Sequence, residues 1–183
     1  MQYSLGTNLS SLSLEVGSLN NYYRNGGSPA ELFNFIYDRI DEDNKTFSSV
    51  WIHLQSRQEV LESIKHLQRL NPHDFPLFGI PFSVKDNIDV DGMPTTAACS
   101  AFKFSPEASA NVVARLQDAG AICIGKTNLD QFATGLNGTR SPYGPCLSPF
   151  NPQYISGGSS SGSAVSVAIH QVSSSTGHGN GGS

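Results

Sequence analysis

Positive charge is in short supply in this chain. Over 183 residues, 11 Lys and Arg face 15 Asp and Glu, a formal net charge of −4, and neither sign gathers into a block. Without a basic field there is no counterion release from a phosphate backbone to exploit, so nucleic acid is excluded as a partner. Cysteine is scarce as well. Cys99, Cys123 and Cys146 are odd in number and have no paired metal-ligand spacing, which argues against a secreted disulfide framework and for buried, reduced thiols. No apolar run is long enough to span a bilayer, and Met1-Gln2-Tyr3-Ser4-Leu5 lacks the basic start and apolar stretch of a secretory leader. The expectation is a soluble, cytoplasmic protein with no membrane partner.

What is present reads as helices first and a layered α/β core afterwards. Ser28-Pro29-Ala30-Glu31 combines a capping serine, a proline at the first helical position and a glutamate three residues after the cap. Leu32, Phe35, Ile36 and Ile40 then repeat at helical spacing. Ser56 and Glu59 form a second capping box ahead of Val60, Leu61, Ile64 and Leu67, and Asn71-Pro72 stops that helix near Leu70. Residues 1–70 are therefore expected to be a helical N-terminal region, serving as scaffold. From about residue 71 the composition changes. The apolar run up to Lys85, broken by Pro76 and Pro81, predicts an edge or entering strand. Ala110, Val112, Val113, Leu116 and Ala119 predict a helix ending at Gly120, and Ala121–Gly125 a buried strand. Strand, helix, strand implies parallel pairing in an α/β fold, with residues 71–183 as its core. The length suits a single domain.

The most distinctive stretch is Gly157-Gly158-Ser159-Ser160-Ser161-Gly162-Ser163-Ala164. By composition it could be a flexible linker. Its flanks, Tyr154-Ile155 before and Ala164, Val165, Val167, Ala168 and Ile169 after, instead fit a tight turn feeding a buried helix. No Gly-Lys-Ser or Gly-Lys-Thr closes it, which excludes a nucleotide phosphate loop. Backbone donors beside hydroxyls suit acyl transfer. Lys85 upstream and a second Gly181-Gly182-Ser183 downstream complete the parts of a hydrolase that attacks amides through serine and lysine.

The ordered set Gly79-Ile80-Pro81 through Lys85-Asp86-Asn87, then Gly125-Lys126-Thr127-Asn128, then the Gly157–Ala164 run resembles the amidase signature family. Leu129–Gly135, Gly138–Gly144 and Phe150-Asn151-Pro152 are most similar to its allophanate-hydrolysing branch, the amidase component of urea amidolyases. The resemblance implies the N-terminal part of that family's fold, a mixed sheet flanked by helices. It implies Lys85 as the base, Ser159 as a bridging serine on a cis peptide and Ser183 as the nucleophile. Asn180, Gly181 and Gly182 would supply oxyanion-hole N–H groups. The implied reaction is hydrolysis of allophanate, urea-1-carboxylate, to ammonia and carbon dioxide in urea degradation. No metal or organic cofactor is implied. The implied partners are a small-molecule amide substrate and a biotin-dependent urea carboxylase, in a family that is often homodimeric.

The lead-in Ser175-Thr176-Gly177-His178-Gly179-Asn180 departs from the family's usual Gly-Thr-Asp-Thr-like stretch, so residues 173–183 also read as a low-complexity tail. His178 is expected to be a solvated side chain. Two alternatives stay open beside allophanate hydrolysis. One is another amidase, including the transamidating subunit of the glutaminyl-tRNA amidotransferase. The other is an inactive fragment or pseudoenzyme, since the chain ends at the expected nucleophile and most later strands of the family's fold would follow it. Even on the allophanate-hydrolysing reading, the chain alone is expected to be weakly active or inactive, and marginally stable.

Overall fold

The computed structural model describes residues 9–177. Its N-terminal half is largely helical for local reasons. Helix α1 spans Val16–Arg24. Helix α2, Pro29–Asp43, starts where the cap requires, with the Ser28 hydroxyl accepting the Glu31 N–H. Helix α3, Arg57–Ser63, carries the full reciprocal box: Glu59 N–H donates to Ser56 Oγ at 3.2 Å and Ser56 N–H to Glu59 Oε2 at 2.7 Å. Such caps are each worth about 1 kcal/mol. The chain beyond α3 tightens into a 3₁₀ turn over Ile64–Arg69. Helical periodicity misassigned one aromatic. Phe35 is only half-buried, under the Arg39 guanidinium at 4.9 Å, whereas Phe33 and Tyr37 join Leu32, Ile36 and Ile40 in the core.

A strand interrupts the region expected to be helical. β1, Trp51–Leu54, pairs antiparallel with β3, Ile122–Thr127. β3 in turn pairs parallel with β2, Pro81–Lys85, and β2 pairs parallel with β4, Ser174–Thr176. The sheet order is β1-β3-β2-β4, a mixed α/β sheet. β2 is thus interior to this sheet, and all five of its residues are buried. The expectation of an edge strand fails because Pro81, which lacks an N–H, stands at the first residue, where the ladder does not need one. Helix α4, Asn111–Asp118, ends in Gly120 at φ +97, with Gly120 N–H on the Gln117 carbonyl and Ala121 N–H on that of Leu116. This closure returns the chain directly into β3.

Because side chains alternate along a strand, β2 separates its two environments. Phe82 and Val84 enter the main core with α2, α3, Ile122 and Ile124. Ser83 and Lys85 face the other way, toward helix α5, Ser161–Ala168, which packs across β4, β2 and β3. That second face is polar: Thr127 Oγ1 lies 2.7 Å from Ser163 Oγ, and Ser83 Oγ lies 3.1 Å from Ser166 Oγ and donates to Ser175 Oγ at 2.7 Å. These hydroxyls partner one another, so small side chains pack closely there.

Candidate active site

The glycine and serine run is a turn into a helix rather than a linker. Gly157 sits at φ +83, the Gly158–Ser159 peptide is cis, and α5 begins at Ser161. Close packing explains the glycines. A Cβ on Gly158 would lie 2.6 Å from Asp130 Oδ2, and one on Gly162 would lie 2.5 Å from Asn128 N, beside the Val50 carbonyl. Asn128 organises the base of the turn. Its amide donates to the Ser49 and Gly144 carbonyls at 2.8 and 2.9 Å, and its Oδ1 accepts from Ser141 Oγ and Leu129 N–H.

β2 delivers Lys85 beneath this turn. The side chain is fully buried, and its ammonium donates to Ser159 Oγ at 2.8 Å and to Ser160 Oγ at 2.7 Å. Burial lowers the Lys85 pKa to about 8, while the charge of Asp130 works in the opposite direction. A cavity of about 500 Å³ opens beside the turn, lined by Gly157, Gly158, Ser160, Ser163, Ser175 and Gly177 among others. The arrangement puts a lysine with a lowered proton affinity against a hydroxyl that can pass a proton on.

Of the residues expected to form the site, Lys85 and Ser159 are brought into contact. Asn180, Gly181, Gly182, Ser183 and His178 lie outside the described residues. Part of the segment read alternatively as a low-complexity tail does belong to the fold, since Ser174–Thr176 is strand β4. Sequence reasoning missed Ser160. The only signal was its place directly after Ser159, and three consecutive serines do not reveal which of them face the lysine. It also left Asp130 without a role, although its carboxylate is fully buried and accepts N–H groups from Gly138 at 2.9 Å and Arg140 at 2.8 Å. The three cysteines are free thiols. Cys123 and Cys146 are buried, and burial pushes the Cys123 thiol up to about 12. Among the described residues no cluster of His, Cys, Asp or Glu could hold a metal ion, and no helix is long and apolar enough to cross a membrane.

The family described as Amidase matches residues 31–183. The chain belongs to this family. Among curated amidase relatives, the urea amidolyase of Saccharomyces cerevisiae is 45% identical over 160 residues, covering 86% of this chain and 9% of the relative. A glutamyl-tRNA(Gln) amidotransferase subunit of Exiguobacterium sibiricum is 40% identical over 156 residues, covering 84% of this chain and 32% of the relative. The solved structure of Kluyveromyces lactis allophanate hydrolase superposes with a TM-score of 0.75 at 41% identity, covering 86% of this chain and 26% of that one. The chain therefore spans from under a tenth to about a third of these amidases.

Proposed function

We propose that the chain carries an amide-hydrolysing site acting on allophanate, with Lys85 as base, Ser159 as relay and Ser183 as nucleophile. The observation that carries this reading is the buried Lys85 ammonium, 2.8 Å from Ser159 Oγ and with a pKa lowered to about 8. At neutral pH roughly a tenth of such a lysine is neutral, against well under a thousandth of an exposed one. In the first step Ser183 Oγ attacks the carbonyl carbon of the scissile amide. Its proton passes to Ser159 Oγ, whose own proton passes to Lys85 Nζ. The N–H groups of the Asn180–Ser183 backbone stabilise the oxyanion. Collapse of the tetrahedral intermediate breaks the C–N bond. The leaving nitrogen takes the proton back along the same relay and departs as ammonia, and water then hydrolyses the acyl-enzyme. The proposed steps use no metal or organic cofactor.

Allophanate is favoured by the likeness to urea amidolyase together with the Leu129–Gly135 and Gly138–Gly144 stretches, and a biotin-dependent urea carboxylase is the partner that would supply it. The 40% identity to the amidotransferase supports a second reading, in which glutamine is the amide donor. Ammonia release from allophanate, malonamate, glutamine and simple aliphatic amides separates the two. The expected result is turnover of allophanate, weak in this chain alone, that Lys85→Ala abolishes. Activity unchanged in Lys85→Ala, or turnover of glutamine alone, overturns the proposal.

A further inference from the structure

Away from Lys85, the loops that follow β2 and β3 meet around another cavity, of about 280 Å³, lined by Phe102, Phe104 and Phe132. The rings stack edge to face: Phe102 lies 5.6 Å from Phe104 and 5.3 Å from Phe132 between centroids. All three stay about half exposed. Phe132 is held there under strain. Its φ is +53, and Ala133, Ala97 and Ala98 share the left-handed region at +56, +50 and +57. Glycine adopts that conformation freely, whereas a bulky side chain does not. The two strained pairs brace each other, with Phe132 N–H on the Ala97 carbonyl at 3.0 Å and Gln131 Nε2 on that of Ala98 at 3.1 Å. Burial does not offset the strain, because 45% of Phe132 remains exposed.

Beside the rings the lining turns polar, with Asn87, Asp89 and Thr95. Thr95 Oγ1 donates to Asp89 Oδ1 at 2.8 Å and accepts from Lys126 Nζ at 3.1 Å, which fixes the carboxylate from one side. Lys126 is matched by Asp86, and among the described residues no cation forms an ion pair with Asp89. Its Oδ2 has no hydrogen-bond partner among them, and Asn87 Oδ1 is buried without one. We propose that this cavity binds a small organic ammonium ion, its N–H groups on Asp89 and its apolar part among the three rings. The two kinds of lining select that class together. Aromatic rings attract a cation and cover its hydrocarbon, and a carboxylate with a free oxygen takes a charged donor. An anion would be repelled by Asp89, and a neutral apolar ligand would cover that carboxylate without supplying a partner. Pockets for drug-sized ligands start at roughly 300 Å³, so the ligand is small. Nothing in this inference depends on the roles proposed for Lys85 and Ser159.

The probe is benzylammonium, with benzyl alcohol and benzoate as its neutral and anionic counterparts. Each is titrated into the 183-residue protein, and binding is read from the backbone amide resonances of Asn87, Ala97, Phe102 and Phe132 by NMR. Saturable shifts with benzylammonium are expected, about tenfold weaker binding of benzyl alcohol, and none of benzoate. Asp89→Asn is expected to bring benzylammonium down to the level of benzyl alcohol. Phe102→Ala, at a half-exposed position outside the core, is expected to weaken both. Absence of saturable shifts at these residues overturns the proposal, as do equal affinities for benzylammonium and benzyl alcohol, or benzylammonium binding that Phe102→Ala leaves unchanged. Should Asp89→Asn fail to fold, the parent's preference for the cation and the Phe102→Ala titration decide the matter. Sedimentation at rising protein concentration checks the competing occupant: a dimer that Phe102→Ala dissociates would make the cavity an interface between copies of the chain and overturn the proposal.

Discussion

Lys85 and Lys126 are both fully buried and stand on adjacent parallel strands, yet their surroundings differ in kind. The register sets Lys126 opposite Val84 and Lys85 opposite Thr127, so the two ammonium groups leave opposite faces of the sheet. Lys126 meets a carboxylate, Asp86, at 3.1 Å and donates to the Pro94 carbonyl and Thr95 Oγ1, each at 3.1 Å. It clamps the loop after β2 onto β3. Lys85 meets two hydroxyls, Ser159 and Ser160, and the opposing carboxylate, Asp130, acts on it without forming an ion pair. Burial is common to both lysines. The partner decides which one fastens the fold and which one is equipped to exchange a proton.

The most severe way to break this contrast is Asp86→Ala, which leaves the Lys126 ammonium buried without its carboxylate. It is expected to cost about 3–5 kcal/mol, read from the urea unfolding midpoint. A cost below about 1 kcal/mol would mean that the pair is not structural. Lys85→Met probes the other lysine through pH. Its pKa falls from 10.5 free to about 8 folded, so the unfolded chain binds the extra proton between those values. Stability of the parent relative to Lys85→Met is therefore lowest below pH 8 and rises as pH climbs toward 10.5, a change of about 3 kcal/mol. Paired urea titrations across that window check the sign and the size.

Smaller changes sharpen the comparison. Gly162→Ala would press a Cβ onto the Asn128 and Val50 backbone, lifting α5 off the polar face that carries Lys85. A loss of about 1–3 kcal/mol in thermal unfolding is expected. Ser160→Ala removes a hydroxyl acceptor of Lys85, costing about 1 kcal/mol of stability and about fivefold in kcat/KM for the amide substrate. Equal rates for Ser160→Ala and the parent would mean that Ser160 takes no part in the relay.

The parts that were legible in the sequence are those whose cause is local. Ser28 with Glu31 and Ser56 with Glu59 cap their helices through side chains only three residues away. Gly120 ends α4 because its φ of +97 is open to glycine. β1 was not legible. Its four residues lie between helices, are only half-buried and gain strand geometry by pairing with β3 some seventy residues on. Phe35 and Phe33 are both apolar at helix-compatible spacing, and only packing against the rest of the core selects Phe33.

The same division runs through the candidate site. By itself the sequence determined which residue types were present and in what order: a lysine closing a strand, a glycine and serine turn, a helix behind it. Those follow from short-range sterics, capping and alternation. Only the tertiary structure decided that Ser159 and Ser160 share the Lys85 ammonium, that Lys126 and not Lys85 takes Asp86, and that the Asp130 carboxylate takes the Gly138 N–H. These contacts join residues from 8 to 75 positions apart, and such pairings exist only once strand register and helix packing have fixed which face each side chain occupies.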